Sequence, residues 1–202
     1  MHKAAAGLVA LICWAGLAIQ FSATYASQGD AAATLWVMLR FFTVITNVIV
    51  AMMMSAVALG RRVSPLILGG ITISILLVGA VYMLLLRGLL ELSGGALVAD
   101  TLLHKVSPLA MATWWLVFAP KRKLGWGAPV AWAIYPLVYF AYALARARMD
   151  GRFPYPFMDV GKLGWTQTLL NAGGIAIAFM LAGVALVAVD RWSPLGPKRS
   201  SR

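Results

Sequence analysis

Apolar residues fall into six long runs, and short polar stretches between them hold most of the charge. The runs cover about residues 4–25, 34–59, 65–90, 96–119, 127–145 and 166–189. A hydrocarbon core about 30 Å thick takes roughly 20 apolar residues per helix, so each run has the length of a crossing. The breaks carry their own signals. Gly29-Asp30 ends the first run, Gly60-Arg61-Arg62 the second, a polar turn from Glu91 to Gly95 the third, and Pro120-Lys121-Arg122-Lys123 the fourth. Ser64-Pro65 opens the third run as a cap followed by a first-turn proline. The first run is longer than a signal-peptide core, so it is read as helix one. The pattern predicts an all-α fold, a polytopic bundle of six transmembrane helices forming one membrane domain over residues 1–202.

Composition strengthens this picture. Hydrophobic residues make up 62% of the chain and charged residues 11%, against about 45–50% and 25% in soluble domains, which leaves no room for a separate soluble domain. A net charge of +11 would suit a nucleic-acid binder. The basic residues, however, sit in the connectors and not on one polar face, so no nucleic-acid partner is expected and the charge reports topology. With the N-terminus inside, the cytoplasmic side collects Lys3, Arg61, Arg62, Lys121, Arg122, Lys123, Arg191, Lys198, Arg199 and Arg202. The far side has Arg87, Arg146, Arg148, Arg152 and Lys162. The positive-inside rule therefore predicts that both termini are cytoplasmic. The long connector 146–165, rich in aromatics and proline, then lies outside. Cys13 is the only cysteine, so a disulfide framework is excluded, and with one intramembrane histidine no metal or haem ligand set is present.

Polar groups inside apolar spans are costly, and each needs a structural excuse or a function. In the second run Arg40, Thr43, Thr46 and Asn47 are spaced to share one helical stripe. Structural roles exist for all of them. Thr43 can return its hydroxyl to the Leu39 carbonyl, Asn47 can bridge two helices, and Arg40 can snorkel to head groups. In the fourth run Asp100 precedes His104 by four residues, so a carboxylate can orient the imidazole; Lys105 follows. Alone, such a histidine serves equally as a bond between helices. Depth links the two runs: Thr43 and His104 each lie 8–9 residues below the outer end, roughly 12–14 Å down. A hydroxyl and an imidazole at one level are the minimal parts of a nucleophile and its general base.

Three patches, Leu39-Arg40-Phe41-Phe42-Thr43-Val44-Ile45-Thr46-Asn47, Leu102-Leu103-His104-Lys105-Val106-Ser107-Pro108 and Tyr155-Pro156-Phe157-Met158-Asp159, resemble a known family. It comprises the androgen-induced and androgen-dependent six-helix proteins, intramembrane threonine hydrolases of fatty acid esters of hydroxy fatty acids, with their bacterial relatives. The resemblance implies that Thr43 is the nucleophile and His104 its base, with no cofactor. Asn47 or Thr46 would donate to the oxyanion and Asp100 would orient His104. Arg40 or Lys105 would hold a substrate carboxylate, and Tyr155, Phe157 and Asp159 would belong to a lid. It further implies a lipid or acyl-ester substrate and a bacterial inner membrane, with the site opening to the outer leaflet. A lipid carrier or permease would need the same polar stripe without chemistry, and a membrane scaffold would need neither Thr43 nor His104. Gly69-Gly70 and Gly173-Gly174 permit close packing within one copy or between copies, so the oligomeric state stays open.

Overall fold

A computed structural model describes residues 1–192; Lys198, Arg199 and Arg202 of the charge count lie outside the described residues. Among the described residues the chain is helical, with no strand. Helix α1 (His2–Gln28) leads into a short α2 (Ala31–Met38) and α3 (Phe42–Ala58). Helix α4 (Pro65–Val81) is prolonged by a π-turn at Tyr82–Leu86. Next, α5 (Gly94–Thr101), a second π-turn at Leu102–Val106 and α6 (Ser107–Phe118) follow one another without a gap. Helix α7 (Ala128–Asp150), a 3-10 turn at Pro156–Met158 and α8 (Val160–Trp192) complete the order.

Helices α1, α4 with its π-turn, α7 and α8 are each long and apolar enough to cross a membrane, and α2 with α3 makes a fifth if the bent pair is one span. Their outward faces carry apolar residues such as Leu8, Leu11, Ile134, Leu170, Ile177 and Leu181, all exposed. So much bare apolar surface suits hydrocarbon, not water. The core lies where α3 is enclosed by its neighbours: Val50, Ala51 and Met54 are fully buried, packed with Ile75, Met111 and Trp115.

The second run is not one helix, contrary to the sequence pattern. Helices α2 and α3 meet at 98°. Asp30 caps α2 by accepting the Ala33 N–H at 2.7 Å, and the chain turns extended at Phe41. A break in an apolar layer must place its freed carbonyls somewhere. Here the Tyr142 hydroxyl donates to Leu39 O at 3.1 Å and the Tyr139 hydroxyl to Arg40 O at 2.8 Å. Both tyrosines are on α7, about a hundred residues away, so local patterning could not announce the break. Arg40 consequently sits in the break, off the stripe that Thr43, Thr46 and Asn47 share on α3.

The connector between the last two runs is also shorter than the apolar pattern implied. Helix α7 continues to Asp150 and stops at Gly151, whose φ of 69° suits glycine. Helix α8 starts at Val160, with a kink at Gly164, so the link shrinks from 146–165 to 151–159. Arg146 and Arg148 thus belong to a helix end.

Helix α4 runs against α6 at Gly79. A Cβ there would lie 3.2 Å from Pro108 Cβ and 3.4 Å from the His104 carbonyl oxygen. Gly69 and Gly70 meet the Trp132 ring in the same manner, whereas a Cβ at Gly173 or Gly174 would meet nothing within 4 Å. Replacing Gly79 by Val should force α4 off α6 and cost about 1–3 kcal/mol, read as a lower melting temperature of the detergent-purified protein. Unchanged melting would show that the two helices do not pack there.

Candidate active site

The break in the second run sets Thr43 in the first turn of α3, beside the second π-turn. Its Oγ1 lies 3.1 Å from His104 Nε2. The other ring nitrogen, Nδ1, lies 3.1 Å from Asp100 Oδ1 and 3.1 Å from the Asp100 carbonyl. With two acceptors facing it, Nδ1 carries the proton, which leaves Nε2 free to accept from Thr43. Asp100 Oδ2 in turn accepts the Tyr82 hydroxyl at 2.6 Å. The Tyr82 ring stacks on the imidazole with centroids 4.5 Å apart and planes 21° apart. Tyr82, Asp100, His104 and Thr43 therefore form one hydrogen-bonded chain reaching from α4 to α3. Tyr82 and His104 each sit in a π-turn, a rare helical irregularity that is frequent at functional sites.

Asn47, one turn below Thr43, holds the frame. Its amide donates to Thr43 O at 2.9 Å and Leu103 O at 3.2 Å, and its Oδ1 accepts the Ser107 hydroxyl at 2.7 Å. The amide protons are thus occupied by the backbones of the two segments that carry Thr43 and His104. Thr46 is taken up by the Tyr135 hydroxyl at 2.9 Å. Neither side chain is directed at the space above Thr43.

Arg40 is 7% exposed and pairs with Asp150, to which Arg146 also turns. Arg146 further binds the Tyr142 hydroxyl and the Trp36 carbonyl, with its guanidinium 4.0 Å from the Trp36 ring. This cluster fastens the end of α7 to the α2–α3 break. Lys105 lies over Tyr82, its Nζ 5.4 Å from the ring centroid. Asp159 bonds the Lys162 N–H at 3.2 Å at the start of α8.

A cavity of about 510 Å³ opens beside Thr43, bounded by α3, α4, α7, α8 and the 3-10 turn. That is within the range of small-ligand sites. It follows one face of α8 from Thr168 to Met180, about 18 Å of helix. The lining is apolar except for Thr43, Tyr139, Tyr155 and Thr168, and the Thr168 hydroxyl is spent on Gly164 O. Tyr155 and Phe157 stack at 5.2 Å over the Thr43 end, with Tyr155 edge-on to Phe41 at 6.1 Å. Arg40, Lys105 and Asp159 do not line the cavity. Burial pushes the Tyr155 phenol up from its ordinary value, so it retains a proton to donate.

The structure brings Thr43, His104, Asp100, Asn47, Tyr155 and Phe157 together and adds Tyr82 and Tyr139. Tyr82 could have been found by the same depth count: it lies eight residues below the outer end of the third run, level with Thr43 and His104. No family model matches this chain, and no characterised protein or solved structure is significantly similar to it.

Asn47→Leu should destabilise the bundle by about 1–3 kcal/mol, because the Thr43 and Leu103 carbonyls lose the amide that bridges them and the Ser107 hydroxyl keeps only its bond to Leu103 O. Chemical denaturation in detergent measures this. Wild-type stability in that variant would contradict the bridging role.

Proposed function

We propose that the protein is an intramembrane ester hydrolase in which Thr43 is the nucleophile and His104 the general base, acting on acyl esters of lipids. The hydrogen bond between Thr43 Oγ1 and His104 Nε2 at 3.1 Å, made at the edge of an acyl-sized apolar cavity, is the observation that carries this reading. A carrier has use for the cavity but none for a base aligned on a hydroxyl. The likeness of the three sequence patches to the intramembrane threonine hydrolases agrees with this, and fatty acid esters of hydroxy fatty acids or similar lipids are the natural substrate class.

The acyl chain lies along α8 with its carbonyl carbon next to Thr43. His104 Nε2 takes the hydroxyl proton as Thr43 Oγ1 bonds to that carbon, and the carbonyl π pair moves onto oxygen. When the pair returns, the bond to the alcohol oxygen breaks and the imidazolium gives its proton to the departing alkoxide. Water repeats the sequence on the acyl-threonine, releasing the fatty acid and restoring Thr43. Asp100, anchored by Tyr82, holds the imidazole in the required tautomer and stabilises its charged form. The apolar surroundings strengthen each of these interactions.

In the membrane the chain crosses six times with both termini cytoplasmic. The segment from Gly94 to Phe118 is the crossing whose apolar character is diluted by Asp100, His104 and Lys105, and the basic links at 60–62 and 121–123 belong to the inner face. The dyad then lies in the outer leaflet, and lipid esters enter laterally. A plasma membrane is the expected location.

Purified wild-type protein should hydrolyse methylumbelliferyl oleate. Thr43→Ala should abolish turnover, and His104→Ala should lower kcat roughly 10²–10⁴-fold, the usual contribution of a general base. Turnover by Thr43→Ala at the wild-type rate would remove this function. Ala176→Phe, which fills the cavity along α8, should shift preference from long to short acyl esters in a chain-length series. Equal losses at every length would contradict the placement of the chain.

A further inference from the structure

The hydrolase reading leaves open which groups receive the charge that develops on the carbonyl oxygen. Asn47 and Thr46 are committed to other partners. At the Thr43 end of the cavity three donors make no hydrogen bond of ordinary length among the described residues. The first-turn N–H groups of Phe42 and Thr43 reach no backbone acceptor among the described residues, as expected where a helix begins. Tyr155 is 9% exposed and lines the cavity, yet among the described residues no hydrogen bond engages its hydroxyl. The polar neighbours of that hydroxyl are the Thr43 side chain, the Thr43 and Phe42 amides and Tyr139.

The amides of Phe42 and Thr43 turn toward the Tyr155 hydroxyl without closing a hydrogen bond of ordinary length, and groups that converge on one point in this way are placed to share a single acceptor. The acceptor must be an oxygen next to Thr43 Oγ1, because the cavity opens there and the amides belong to the nucleophile and its neighbour. The N-terminal end of α3 adds its partial positive charge at the same point. A donor aimed at the oxygen of the tetrahedral intermediate, in a water-poor site, is worth much more than one in solvent.

We propose that the Tyr155 hydroxyl is a catalytic residue which, with the backbone N–H groups of Phe42 and Thr43, forms the oxyanion hole of the esterase; this rests on the hydrolase reading given above. As Thr43 Oγ1 bonds to the ester carbon, the π pair settles on the carbonyl oxygen, which accepts the three hydrogen bonds without taking a proton. When the pair returns, the alcohol departs with the proton held by His104. The short link 151–159 is therefore part of the catalytic machinery and not only a cover. Its stacked Tyr155 and Phe157 fix the hydroxyl over the end of α3.

Tyr155→Phe keeps the stack on Phe157 and the edge contact with Phe41 while deleting the hydroxyl. In full-length protein with methylumbelliferyl oleate, kcat should fall roughly 10²–10³-fold, as for loss of one oxyanion donor, with KM unchanged. A wild-type kcat overturns the assignment, and so does a rise in KM at constant kcat. Fluorotyrosine at 155 guards against a folding defect in the Phe variant: the more acidic hydroxyl on the same ring should raise kcat, and an unaltered kcat overturns the assignment. Thr43→Ala separates the two readings. If it is inert while Tyr155→Phe is fully active, only the oxyanion assignment fails; if Thr43→Ala itself turns over, the hydrolase reading fails.

Discussion

Polar atoms inside an apolar bundle have only one another for partners, and the architecture around Thr43 follows from that constraint. A hydroxyl, an imidazole, a carboxylate and a phenol would each be costly alone in hydrocarbon. Joined in the order Thr43, His104, Asp100, Tyr82, each satisfies the next across three helical segments. Asn47 serves the same end from below, joining the Thr43 and Leu103 carbonyls and the Ser107 hydroxyl. The network therefore both welds α3 to the α5–α6 segment and holds the His104 imidazole against the Thr43 hydroxyl.

The bend between α2 and α3 is the second essential feature, and it depends on the first. By starting a new helix at Phe42 it brings Thr43 into a first turn, where backbone N–H groups point outward and the helix dipole favours negative charge. Its own freed carbonyls are met by Tyr139 and Tyr142 of α7, and the pairing of Arg40 and Arg146 with Asp150 closes the rim beside the break. Fold and chemistry share these parts. The pairing is half-buried, with Asp150 still reaching solvent, so it fastens the end of α7 to the break without the full cost of a buried ion pair.

The sequence revealed the helical membrane character, the apolar runs and the level shared by Thr43 and His104, because hydrophobic length and spacing are local properties. It also placed Asp100 beside His104, since a four-residue interval on a helix is local too. What it hid depends on contacts between distant segments. The break after Met38 lies inside one apolar run whose only charged residue is Arg40, and Tyr139 and Tyr142, a hundred residues on, take up its carbonyls. Asn47 is a plausible oxyanion donor by type, but its amide is consumed by carbonyls that only the packed bundle brings near. Arg40 was expected on the stripe beside Thr43, and the bend turns it to Asp150 instead. Tyr82 carried a readable signal in its depth along the third run, whereas the π-turns that aim it at His104 have no pattern in the residues.

The central claim is that Thr43 becomes acylated during turnover. Acid quench of the working enzyme with a long-chain acyl ester, followed by mass spectrometry of its peptides, reads this directly. The account predicts an added acyl group on the peptide containing Thr43, localised to that residue. Turnover with the acyl group on another side chain would contradict it.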